Sequence, residues 1–152
     1  MLRRIAPVLA LGLGLGLAPG CAKPPPPPTL SPAASDTVED QGATFEVEVK
    51  WQRVGANEIK LVTVLAARGI EQTDSLVLDV TSSGFVITEG SREWVGFVKP
   101  REKYTHEVSY MMIDDEDSGR LDLGIRRSMD GTPLWGTELL FRREAGGITL
   151  AQ

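Results

Sequence analysis

The sequence predicts an all-β fold, a single antiparallel β-sandwich of about seven or eight strands spanning residues 43–152. Three observations carry this expectation. Apolar residues recur with period two over short runs, turn residues separate those runs, and no segment shows a long helical stripe. The stretch of about 110 residues is also ample for one domain with its own core.

The first run is the clearest. Phe45, Val47, Val49 and Trp51 alternate with Glu46, Glu48 and Lys50, which puts the apolar set on one face. Ile59, Leu61, Thr63 and Leu65 form a second alternation, and the β-branched residues of this stretch favour strand over helix. Leu76-Val77-Leu78 with Val80, and then Phe85-Val86-Ile87, are short β-rich runs split by Ser82-Ser83-Gly84; Trp94 to Val98 is another. Tyr104, His106, Val108, Tyr110 and Met112 share a face. After a turn at Asp117-Ser118-Gly119 come Leu121, Leu123 and Ile125, and Trp135, Thr137, Leu139 and Phe141 close the set. Gly146 to Leu150 reads either as a strand that adds to a partner's sheet or as a frayed terminus. Trp51, Trp94 and Trp135 all fall in expected strands and are assigned to the core. The succession resembles immunoglobulin-like or fibronectin-III-like modules of bacterial envelope proteins. The resemblance extends to general architecture, since the cysteine pair of antibody-type domains is absent.

The N-terminal part has a different composition. Arg3 and Arg4 precede an apolar stretch from Ile5 to Leu17, with small residues Ala18, Pro19 and Gly20 ahead of Cys21. Thirteen residues make a helix of about 20 Å, short of the roughly 30 Å of a bilayer core. Residues 1–20 are therefore read as a cleaved signal peptide. Leu17 to Cys21 resembles the lipobox of bacterial lipoproteins, in which the cysteine is acylated and becomes the new N-terminus. Gly20 and Cys21 match that pattern, while Ala18 stands where a branched apolar residue is usual. Cys21 is the only cysteine, and acylation would account for a thiol with no partner in an oxidising compartment. The resemblance implies a membrane anchor, and Ala22 in place of an aspartate implies the outer membrane, facing the periplasm.

Residues 21–42 read as the lipidated cysteine and a disordered tether. Pro24 to Pro28 are continuous, and eight of the ten prolines lie within the first 32 residues. Such a run settles into polyproline II.

The net charge of −5 becomes −7 once Arg3 and Arg4 leave with the signal, which argues against nucleic acid as a partner. Tests for chemistry find little. His106 is the only histidine, with no Gly-x-Ser-x-Gly elbow and no second zinc ligand, so neither an enzyme nor a cofactor is expected. Asp114, Asp115, Glu116 and Asp117 are the candidate metal ligands, for calcium. Ile125 occupies the twelfth position, where an EF-hand requires glutamate, so the competing reading is a solvated hairpin turn. Arg126-Arg127 and Arg142-Arg143 end neighbouring strands, either as a small basic patch for a carboxylate or glycan or as charged guards of strand ends. The expectation is a lipid-anchored envelope protein whose sandwich binds an envelope protein partner; the alternative is a calcium- or small-ligand module using residues 114–119.

Overall fold

The computed structural model describes residues 28–151, and its regular structure is entirely β. Ten strands follow in order: β1 (Ser31–Asp40), β2 (Ala43–Arg53), β3 (Glu58–Ala67), β4 (Leu76–Ser83), β5 (Phe85–Gly90), β6 (Glu93–Gly96), β7 (Lys103–Met112), β8 (Ser118–Arg127), β9 (Pro133–Glu144) and β10 (Gly147–Ala151). They form two antiparallel five-stranded sheets, ordered β1-β2-β3-β7-β5 and β10-β9-β8-β4-β6. This is the β-sandwich that the period-two pattern predicts. The two orders are the same list counted from opposite ends of the chain. In the immunoglobulin order the third strand lies in the sheet opposite the second; here β3 pairs with β2, so the strand order differs and only the sandwich architecture is shared.

Alternation builds the core. Phe45, Val47 and Val49 of β2, Ile59, Leu61 and Leu65 of β3, and Leu121, Leu123 and Ile125 of β8 point between the sheets and are buried. Each large side chain withdrawn from water contributes about 1.5–3 kcal/mol. Phe141 of β9 joins the sheets: its ring meets Trp51 edge-on at 5.4 Å and Phe85 at 5.7 Å. Trp51, Trp94 and Trp135 are half-buried and pack against this core, as expected.

Three expectations are corrected. The tether does not run to Gly42, because Ser31–Asp40 is a strand, in register with β2 from Ser31–Trp51 to Asp40–Ala43. A two-residue turn closes the pair, with Gln41 at φ 49° and Gly42 at φ 89°, the doubly left-handed geometry that suits the twist of a hairpin. The C-terminal segment is not frayed, since β10 pairs with β9 of its own chain at one edge of its sheet. Gly119 is not a turn residue: it lies in β8, opposite Phe141 and buried beneath Phe85. β1 and β10 are the two strands that raise the count to ten.

The registers define two ends. At the near end the described chain enters at Ser31, and turns 54–57, 113–117 and 145–146 lie there. At the far end lie the β1–β2 turn and the connections 68–75, 97–102 and 128–132.

Candidate functional site

Each far-end connection exposes one large apolar side chain: Ile70 at 88%, Phe97 at 43% and Met129 at 92%. The loops beneath them are fixed. Arg68 and Gly69 donate backbone N–H bonds to Thr44 O, which holds the first loop to β2. Thr73 N–H donates to Val98 O at 3.2 Å and Val98 N–H to Thr73 Oγ1 at 2.9 Å, tying that loop to 97–102. Ser128 N–H donates to Ser75 O at 2.7 Å and brings in the third loop. Three exposed apolar side chains thus stand on loops that are tied to one another or to β2.

The same end holds exposed cations. Lys99, Arg101 and Lys103 take part in no ion pair among the described residues. Arg101 also sits at φ 65°, in a turn closed by Glu102 N–H to Lys99 O with Pro100 before it. That position of a type II turn favours glycine, and a side chain there costs about 1–2 kcal/mol.

Arg127 pins the far end together. Its Nε donates to Asp40 Oδ1 at 2.7 Å, with the Asp40 side chain fully buried, so a carboxylate of the first sheet is held by a cation of the second. The pairing raises the Arg127 pKa, while the Asp130 carboxyl is lowered, first by the Thr132 backbone N–H that it accepts.

Arg142 and Arg143 lie at the other end. β8 and β9 are antiparallel, so Arg126 pairs with Pro133 while Arg142 pairs with Ser118, and the two arginine pairs make no common patch. Arg126 instead reaches Asp79 at 3.8 Å and Glu93 at 3.7 Å. Arg143 occupies the inside of the acidic turn. It donates to Ile113 O at 2.9 Å, Glu116 O at 3.1 Å and Asn57 Oδ1 at 2.6 Å, taking carbonyl oxygens that a calcium ion would use. Asp114, Asp115, Glu116 and Asp117 are all exposed, and no group of three metal-ligating side chains converges among the described residues.

His106 is half-buried on the inner face of β7, directly across from buried Thr63 of β3. Burial lowers its pKa, the Ser91 backbone partly opposes this, and its Nε2 has no hydrogen-bond partner. A half-buried imidazole facing a threonine is a packing arrangement. A cleft of about 480 Å³ over β1 and β2 is lined by Ser35, Asp36, Thr37, Glu46, Val47 and Glu48. Cys21, the signal peptide and residues 21–27 of the expected tether lie outside the described residues.

The period-two reading gave no sign of the far-end surface, because isolated apolar residues in loops have no period to detect. No protein-family model matches the chain, and no curated protein matches it at a significant level.

Proposed function

We propose that this chain is a lipid-anchored envelope protein whose β-sandwich is a binding and assembly module, held at the outer membrane and facing the periplasm. The observation that carries the reading is polarity along the domain. The chain enters at the near end through Ser31, while Ile70, Phe97 and Met129 project at the opposite end beside Lys99, Arg101 and Lys103. The acylated Cys21 and the proline segment hold one end, and the other is presented outward. Confinement to one layer raises the effective concentration for any partner in the same envelope. Exposed acids (Glu71, Asp74, Glu102 and Asp130) stand among the far-end cations, so the matching partner is a protein surface with an apolar centre and a rim of mixed charge.

The test is crosslinking in the native membrane, purification of the tagged chain and mass spectrometry of what accompanies it. A reproducible envelope complex is expected from the natural sequence. It is lost from the Ile70→Ser/Met129→Ser variant and depleted from Cys21→Ala, which also leaves the membrane fraction. Recovery of the protein alone from every form overturns the reading.

A further inference from the structure

Three of the four methionines lie in the described residues, and the fold grades them by access. Met112, on the inner face of β7 with Tyr110, is fully buried. Its neighbour Met111, on the outer face, is 43% exposed, and Met129, in the connection between β8 and β9, is 92% exposed. A hydroperoxide oxidises a thioether only where it can reach the sulfur. Cys21 is the only cysteine and is acylated in the proposed anchor, so no free thiol competes.

The backbone beneath Met129 is held without help from its side chain. Ser128 N–H donates to Ser75 O, Arg127 N–H to Thr132 O at 2.9 Å and Gly131 N–H to Arg127 O at 3.1 Å. Asp130 Oδ1 accepts the Thr132 N–H at 2.9 Å. The loop is therefore closed on both sides of Met129, and a side chain so exposed has almost no packing to lose. Oxygen added to its sulfur changes the surface and leaves the fold in place.

We infer that Met129 is an oxidation switch on the far-end surface: its thioether permits docking and its sulfoxide prevents it. The inference rests on the reading of that surface as the binding face. In the step, a hydroperoxide transfers one oxygen atom to the sulfur. The O–O bond breaks, an S–O bond forms, and the remainder leaves as water or an alcohol. The sulfur is oxidised by two electrons and the peroxide reduced by two. A flexible apolar side chain becomes a polar one, in the loop cluster where Ile70 and Phe97 supply the other exposed apolar groups. A thiol-dependent reductase reverses the change, removing the oxygen as water while two thiols close to a disulfide. The two states exclude one another, since a docked Met129 is shielded from peroxide and an oxidised one does not dock.

The experiment treats the purified full-length natural chain and its Met129→Leu variant with hydrogen peroxide and follows each methionine by peptide mass spectrometry. Met129 is expected to react at the rate of a methionine in an unfolded peptide, severalfold faster than Met111, while Met112 stays unreacted in the folded domain. The urea midpoint should be the same before and after treatment. Each chain, freed of peroxide, is then added to native membranes from cells that lack it and crosslinked. Recovery of the envelope complex should fall roughly ten- to a hundredfold for the oxidised natural chain, the effect of one methionine side chain no longer buried. Treatment with a methionine sulfoxide reductase should restore it. Met129→Leu, a volume-conserving change that retains Met111, should bind equally before and after peroxide. Met129 reacting no faster than Met111, equal recovery from oxidised and untreated natural chain, or an equal loss from Met129→Leu each overturns the switch. Absence of the complex from the untreated natural chain is instead the failure of the binding-face reading, and the switch falls with it.

Discussion

Replacing Gly119 by alanine tests the packing between the sheets beneath Phe85. In most strands Gly→Ala gains about 0.5–1 kcal/mol, because the unfolded chain loses freedom. Gly119 is outside the set of left-handed glycines (42, 84, 90, 131 and 147), so its backbone places no bar on alanine. The bar is steric. A Cβ built there stands 2.6 Å from Phe85 Cδ2 and 2.9 Å from Cζ, and the ring cannot retreat because Phe141 and Tyr110 pack against it at 5.7 and 6.2 Å. Overpacking of this kind costs about 1–3 kcal/mol. After the entropic gain the net loss is about 1–2 kcal/mol, a fall in Tm of roughly 3–10 °C for a domain of this length. Urea unfolding by tryptophan fluorescence should show a lower midpoint with an unchanged m-value. The decisive comparison repeats the substitution in a Phe85→Leu background, where the shorter side chain leaves room. There Gly119→Ala should be neutral or stabilising, a coupling of about 1–2 kcal/mol between the two sites. Equal costs in both backgrounds, or a stabilised single variant, refute the steric reasoning.

Three further outcomes are expected. Because burial holds the His106 pKa below the unfolded value of 6.5, the unfolded chain binds the proton first as pH falls. The contribution of this site is therefore complete above pH 6.5 and is lost progressively below it, down to the lowered folded value; in denaturant titrations His106→Gln should flatten that part of the profile relative to the natural chain. Arg101→Gly should raise stability by roughly 1 kcal/mol through relief of the left-handed turn, yet weaken recovery of the envelope complex; stabilisation without loss of binding would make the strain incidental. Asp40→Asn should lower stability by about 1–3 kcal/mol, since a charge-assisted bond at a buried site is replaced by a neutral one. Hydrogen exchange should then show faster opening of β1 than of β9, and uniform acceleration would contradict the role of Asp40 as a local pin.

Much of the fold was legible because alternation is a local property, and eight of the strands announce themselves through it. β1 escaped because its inward positions are nearly empty of apolar residues: Val38 is flanked on the same face by Asp36 and Asp40. A buried carboxylate inverts the pattern on which recognition of a strand depends, and its partner Arg127 lies 87 positions away. The turn was hidden as well, since Gln41-Gly42 lacks the asparagine or aspartate that usually precedes such a glycine. Gly119 was misplaced for a related reason. Glycine beside Asp and Ser has the composition of a turn, and only the ring of Phe85 shows that its role is clearance. Of the two readings open for the arginine pairs, the shared basic patch fails because antiparallel pairing sends them to opposite ends. The candidate surface was illegible, because the proximity of three loops is a property of the closed sandwich.

β1 runs the length of the domain, from Ser31 at the near end to Asp40 at the far end. Tension transmitted through Ser31 and resisted at the far-end loops acts parallel to β1. It loads the β1–β2 ladder in shear, with its hydrogen bonds strained together instead of being unzipped one at a time. The Asp40–Arg127 pair lies at the last rung, where sliding of β1 would have to break it and expose a buried carboxylate. Pulled from that end, the domain keeps its first strand until the whole ladder and the Asp40–Arg127 pair give way together.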